Sequence, residues 1–548
     1  MFCYQCEQTA HNTGCTIVGI CGKTPEVAML QDVLLDLTKG IAMYAHPAGR
    51  LGVRDPVVDT FVLDALFTTV TNVNFDAARL NAMLDEAVTV RKRAHTLYQA
   101  AADAAGENID PPTGAATRTL ATDRAGRLAH AEAVSIPQRT ETQGEDITGL
   151  QELLLYGIKG AAAYASHART LGREDPAVYA FIHEALDMIA RSTATIDDLL
   201  SANLRCGEIG LRVLDMLDGA NTGGYGQPSP TQTLMGHVPG KAILVSGHDL
   251  ADLDALLEQT RGTGINVYTH GEMLPAHGYP ALHKHPHLVG HFGGAWMRQR
   301  SEFDDFPGAI LMTTNCIQSP APTYQDRLFT CGLVAWPDVT HIADRDFRPV
   351  IEAALAAPGF TTASEPRYHT TGFGHQAVLS VAEPIVNAVK NGDIGRFVLI
   401  GGCDGAEQGR NYYTELAERL PDDTVILTLG CGKFRVVGLD LGEVAGLPRL
   451  LDMGQCNDAF SAIKVAQALA TAFGVGVNDL PLSLVISWYE QKAVLVLLTL
   501  LHLRIRNITL GPRLPAFLSP TVLQVLVDTF GIRPTGDVDA DMKDMLAA

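Results

Sequence analysis

The sequence predicts a multidomain α plus α/β protein, a helical domain followed by two α/β domains, and three observations carry that expectation. An internal repeat at an offset of 120 residues fills the first part of the chain with helical pattern. From about residue 240 onward, short β-rich runs alternate with helical stretches, the pattern of α/β units. Turn-rich breaks at Gly219 to Pro230 and Pro366 to Gly374 divide the 548 residues into 1–225, 226–370 and 371–548.

The repeat begins where Leu30-Gln-Asp-Val-Leu-Leu-Asp-Leu-Thr-Lys-Gly40 matches Leu150-Gln-Glu-Leu-Leu-Leu-Tyr-Gly-Ile-Lys-Gly160, and it holds without a gap through Phe61 and Phe181. Leu30, Leu34, Leu37, Ile41 and Tyr44 fall on one face of a helix. Asp55-Pro56 and Asp175-Pro176 each read as an N-cap followed by Pro at the first helical position. Two homologous bundles are therefore expected. The duplicated Lys39 and Lys159, and the paired tyrosines, repeat because the packing repeats.

In the second half six apolar runs each end within a few residues on a metal-ligating side chain. Ala242 to Ser246 leads to His248, Ile265 to Thr269 to Glu272, and Ala309 to Thr313 to Cys316. Phe397 to Ile400 leads to Cys403, Thr424 to Leu429 to Cys431, and Ser483 to Ile486 to Glu490. Such runs read as buried parallel strands, and ligands of open α/β sheets bind beyond the carboxyl ends of those strands. Cys456 is a seventh candidate with no comparable strand before it. A site built from both α/β domains lies at their interface, where pockets commonly form.

The balance of 41 basic and 61 acidic residues gives a formal charge of −20, which argues against nucleic acid and anionic membrane surfaces as partners. Ala493 to Leu503, the most apolar stretch, is too short to span a bilayer and reads as a buried helix. The N-terminus lacks the features of a signal peptide, so a cytoplasmic address is expected. In that reducing compartment, clustered thiols serve metals or redox chemistry more often than disulfides. No G-x-G-x-x-G or P-loop pattern occurs, so no nucleotide site is expected.

Cys3, Cys6, Cys15 and Cys21 form C-x2-C-x8-C-x5-C, four thiols that one loop can wrap around a cubane cluster. Structural zinc is the competing occupant, and the five-residue second spacing, in place of a second C-x2-C knuckle, favours iron and sulfur. The seven later candidates mix four thiolates, one imidazole and two carboxylates, a set with one soft and one hard face. A small oxygen or nitrogen substrate belongs on the hard face. Cys206 and Cys331 read as inert, partly buried thiols, and His283, His285, His287 and His291 as a Pro-containing polar loop.

The stretches Met1-Phe-Cys-Tyr-Gln-Cys6, Thr269-His-Gly-Glu-Met-Leu-Pro-Ala-His-Gly-Tyr279, Thr314-Asn-Cys316, Gly401-Gly-Cys-Asp-Gly405, Gly430-Cys-Gly-Lys-Phe434, Gly454-Gln-Cys-Asn-Asp458 and Ser487-Trp-Tyr-Glu-Gln-Lys492 resemble those of the hybrid-cluster proteins, or hydroxylamine reductases. The resemblance runs essentially end to end. It implies a fold related to carbon monoxide dehydrogenase, with two Rossmann-like domains after the helical one. It also implies a 4Fe-4S proximal cluster on Cys3, Cys6, Cys15 and Cys21, the short-spacing subgroup. A hybrid iron-sulfur-oxygen cluster of 4Fe-2O-2S type would sit on His248, Glu272, Cys316, Cys403, Cys431, Cys456 and Glu490, with Cys403 at the family's persulfide position.

The implied reaction takes hydroxylamine to ammonia and water with two electrons and two protons, the electrons coming from a separate donor protein. Glu490, Lys492 and His248 are the available proton donors. Nitric oxide reduction or peroxide removal in nitrosative or oxidative stress defence is an alternative enzyme reading. A non-enzymatic alternative is a redox sensor or mediator of protein S-nitrosylation acting through Cys403. Nothing in the sequence distinguishes a monomer from a homodimer.

Overall fold

The computed structural model describes residues 1–108 and 112–547. The repeat is visible in the boundaries of its helices. In the first copy α1 (Pro25–Arg50), α2 (Pro56–Thr68) and α3 (Ala77–Ala105) follow one another. After α4 (Arg124–Ala133) and α5 (Ile136–Gln143) come their counterparts α6 (Glu145–Thr170), α7 (Pro176–Arg191) and α8 (Ile196–Tyr225). Asp55 and Asp175 are N-caps whose carboxylates accept from Val57 and Ala177 amides, each with Pro at the helix start.

The copies differ where they meet the rest of the chain. An added Cβ at Gly157 would lie 2.7 Å from Leu498, and one at Gly160 would lie 2.6 Å from the Gln491 carbonyl. At Gly207 and Gly210 it would lie 2.1 Å from the Leu498 carbonyl and from Thr499 Oγ1. These glycines on α6 and α8 let the helix Gln491–His502 sit against both. The offset of 120 puts Leu37 and Gly40 at the places of Gly157 and Gly160 in the first copy, where both are buried, and the helix caps Asp76 and Thr195 put the half-buried Val88 and Arg91 at those of Gly207 and Gly210.

Two sheets follow. The first contains β2 (Lys241–Ser246), β3 (Ile265–His270), β4 (Leu288–His291), β5 (Ala309–Met312), β6 (Leu328–Cys331) and β7 (Thr340–Ile342), all parallel, in the order β4-β3-β2-β5-β6-β7. The second contains β1 (Thr231–Leu234), β8 (Tyr368–Thr371), β9 (Arg396–Gly402), β10 (Thr424–Thr428), β13 (Leu450–Asp452), β14 (Leu482–Ser487), β15 (Ile508–Gly511) and β16 (Arg533–Pro534). Its order is β1-β8-β13-β10-β9-β14-β15-β16, and β11 (Glu443–Val444) with β12 (Leu447–Pro448) forms a separate ribbon. Counted from the central strand outward, both sheets carry the 3-2-1-4-5-6 order of a doubly wound fold. All six sequence-predicted strands form, as does the buried helix read from Ala493 to Leu503.

The structure departs from the sequence reading in four places. Gly219 to Tyr225 is the last two turns of α8, held by burial of Ala220, Asn221 and Tyr225, and packing overrides the glycine-rich composition. The break at Pro366 to Gly374 contains β8, which pairs antiparallel with β1 in the second sheet. The histidine stretch is not a polar loop: His291 lies within β4 and is 1% exposed, and His285 is 3% exposed. Cys206 and Cys331 are fully within the core, at 0% and 3% exposure.

Candidate metal centre

All ten cysteines are free thiols, so none of the predicted ligands is diverted into a disulfide. In the N-terminal loop the amides of Cys3 and Cys15 each donate to the other's carbonyl, at 3.1 and 2.8 Å, which pins the first and third thiols side by side. The Ala10 amide donates to Cys15 Sγ at 3.4 Å, and Lys23 Nζ, itself bound to Gln31, donates to Cys3 Sγ at 3.6 Å. Burial raises the Cys6 thiol well above its ordinary pKa, and Cys21, Cys3 and Cys15 push it further the same way. Four thiols gathered in one largely buried loop fit a site whose thiolate charge a cationic cluster neutralises.

The second group gathers at the strand ends. Counting strands from the centre of each sheet, His248, Glu272 and Cys316 follow the first, second and fourth strands of one. Cys403, Cys431 and Glu490 follow the first, second and fourth of the other, and Cys456 follows the third. That third strand, β13, is only three residues long, which is why no strand signal precedes Cys456 in the sequence. Both topological switch points thus open on one space.

A ligand atom each from His248, Glu272 and Cys456 lies within 4.8 Å of the other two. The four remaining residues carry the charge signature of the same space. The Cys316 thiol is raised by burial and then by Glu490, Cys403 and Glu272, and Cys431 by burial and then by Glu272, Cys316 and Cys456. Cys403 is pushed up to about 12 by burial, with Glu490 adding to it.

Local geometry aims the hard ligands. The His248 Nδ1 contacts Thr314 Oγ1 at 2.9 Å, leaving Nε2 facing Glu272 Oε2 at 4.0 Å. Glu272 Oε2 accepts from the Cys456 amide at 2.7 Å, while its Oε1 is buried without a partner. Burial holds the His248 imidazole well below its usual pKa, and the nearby Lys492 and His167 lower it further. An imidazole with one nitrogen engaged and the other facing a carboxylate suits a metal ligand. Glu490 caps the helix Gln491–His502, its Oε2 accepting from the Lys492 amide at 2.9 Å. Lys492 Nζ sits 3.7 Å from Glu490 Oε1 and donates to Asn315 Oδ1 at 3.1 Å. Burial opposes its charge, but Cys456, Glu490, Cys316 and Glu272 outweigh that and raise its pKa.

Several residues at the centre were not singled out by sequence. Tyr489 and Trp296, with ring centroids 4.6 Å apart, pack with Cys6, Cys431, Cys316 and Cys403 in one cluster that joins the two thiol groups. Arg410, 1% exposed, donates to Glu7 of the N-terminal loop and to Ser487 Oγ at the end of β14. Lys433 is fully buried between Asp452, at 2.6 Å, and the Gly454 carbonyl. The pairing of Lys433 with Asp452 has no spacing signature, because the turn after β10 and the end of β13 are separate segments of the chain.

The chain matches the Prismane/CO dehydrogenase family over residues 1–543. It belongs to that family. Relatives across the whole length are named hydroxylamine reductase, among them that of Rhodospirillum rubrum, 62% identical over all of this chain and 99% of the relative. That of Syntrophobacter fumaroxidans is 55% identical and covered completely. The fold resembles carbon monoxide dehydrogenase from Thermococcus sp. AM4, with a TM-score of 0.56 at 17% identity over 99% of this chain and 90% of that one. Carbon monoxide dehydrogenase IV from Carboxydothermus hydrogenoformans aligns with a TM-score of 0.55 at 17% identity, over 99% and 92% of the two chains. As a member of the Prismane/CO dehydrogenase family the chain is an iron-sulfur oxidoreductase. Among the described residues no helix is long and apolar enough to cross a membrane.

Proposed function

We propose that this chain reduces hydroxylamine to ammonia and water with two electrons and two protons. A hybrid cluster of 4Fe-2O-2S type would be held by His248, Glu272, Cys316, Cys403, Cys431, Cys456 and Glu490, and a 4Fe-4S cluster by Cys3, Cys6, Cys15 and Cys21. The observation that carries this reading is the convergence of His248, Glu272 and Cys456, with a buried carboxylate oxygen of Glu272 lacking any partner. When bound, the hybrid cluster supplies the electrons and the Lewis acidity that weaken an N–O bond.

The chain's own groups do the rest. Thr314 fixes the His248 ring, and the Cys456 amide fixes the Glu272 carboxylate. Lys492, oriented by Asn315 and Glu490, holds a proton beside the hard face for the departing hydroxyl group. Tyr489 and Trp296 fill the space between the two thiol groups and keep water from it. A separate donor protein delivers electrons to the N-terminal loop.

Nitric oxide reduction is a second reading, favoured by an apolar cleft of about 150 Å³ between the second sheet and the helices that cover it. Leu399, Leu429, Ile463, Val496 and Leu500 line it, and it reaches Gly402, next to Cys403. Such a surface admits a small uncharged molecule more readily than a polar one. Steady-state assays of anaerobically purified protein with one electron donor decide between them. A higher kcat/KM for hydroxylamine supports the first reading, and a higher value for nitric oxide replaces it.

A further inference from the structure

We infer that Asp254, Glu258 and His285 form a site for one divalent metal ion of zinc type, apart from the iron centres. α9 (Leu250–Thr260) places Asp254 and Glu258 four residues apart on one face. α10 (Pro280–His283) then delivers His285 to that face, and a ligand atom of each of the three lies within 4.8 Å of the other two.

The decisive group is His285. Its side chain is 2% exposed, its Nε2 has no hydrogen-bond partner, and that nitrogen lies 3.5 Å from Glu258 Oε1. Two ligand atoms on a tetrahedral zinc with bonds near 2.1 Å stand about 3.4 Å apart, so this edge of the site is already at coordination distance. Burial lowers the His285 pKa and raises that of Asp254. One imidazole and two carboxylates are a set that zinc accepts with water in the fourth position.

The other charged groups nearby are accounted for. Arg261 pairs with Glu258 at 2.7 Å, but the two side chains are 63% and 48% exposed, and such a surface pair yields readily to a cation. Lys284 is exposed. His287, whose ring lies 5.6 Å from that of His285, is taken up by Thr260 Oγ1 and the Leu257 carbonyl and is not a ligand. An ion here would tie α9 to the end of the segment that starts at Gly271 and carries Glu272.

The test uses iron-replete protein given two equivalents of zinc chloride and then desalted. Elemental analysis should show one zinc per chain with iron unchanged, and crystals should show zinc anomalous scattering between Asp254, Glu258 and His285. Asp254→Asn with Glu258→Gln, and separately His285→Ala, should each lose that zinc and keep their iron. The double carboxamide variant alters residues that are not fully buried, so it remains informative if His285→Ala folds poorly. Absence of retained zinc in the unmodified protein, a scattering peak elsewhere, or zinc retained by the double variant would overturn the inference.

Discussion

The amide of Cys456 donates to Glu272 at 2.7 Å, joining the loop after β13 of one sheet to the segment after β3 of the other. That bond leaves one carboxylate oxygen of Glu272 for a metal and holds it in place. Glu272→Ala is expected to lower iron at the second centre and reduce turnover by about 10- to 100-fold. Electron paramagnetic resonance and iron analysis check it, and the signal of the N-terminal cluster should remain.

Lys492→Met removes the only ammonium held by both Asn315 and Glu490 among the described residues. Turnover is expected to fall by about 10²- to 10⁴-fold with both cluster signals intact. Unchanged turnover and an unchanged pH profile would remove Lys492 from the proton path.

Asp36 gives the acid side of the stability curve. Burial raises its carboxyl pKa, but His130, at 2.8 Å, and Arg118 outweigh that and hold it below the ordinary value. A carboxylate with a depressed folded pKa contributes stability above its unfolded pKa of about 3.9, and loses it as pH falls through the folded value. Asp36→Asn should therefore cost about 1–3 kcal/mol near neutral pH and flatten the decline below about pH 4. Urea unfolding across that range measures both.

Arg410 and Glu7 form an ion pair with 1% and 0% side-chain exposure, 403 residues apart in sequence. Arg410→Met leaves the Glu7 carboxylate buried and unpaired, at a cost of about 3–5 kcal/mol. Replacing both, as Glu7→Gln with Arg410→Met, should recover part of that loss, as thermal melts of the two variants would show.

The sequence announced the strand ends because a buried parallel strand is a continuous apolar run, and the residue after it is free to be polar. His248, Glu272, Cys316, Cys403, Cys431 and Glu490 were all legible on that ground. β13 escaped notice because three residues are too few to form a run, so Cys456 was found only by its chemistry. Gly219 to Tyr225 misled because composition reports local preference, while burial of Tyr225 decides the helix. Arg410 with Glu7, and Tyr489 with Trp296, were invisible because each pairing joins segments distant in sequence. The three atoms around His285 were hidden likewise, since the spacing of the histidines among themselves says nothing about α9.

The glycines of α6 and α8 set an order of events during synthesis. Where the first copy of the repeat carries Leu37, Val88 and Arg91, the second has Gly157, Gly207 and Gly210, leaving a slot that Gln491–His502 fills. A nascent chain that has released both bundles therefore still holds one of them unfinished, awaiting a segment that begins only at Gln491. Glu490 arrives with that segment, so the proposed second centre would be completed only after Gln491–His502 has been made.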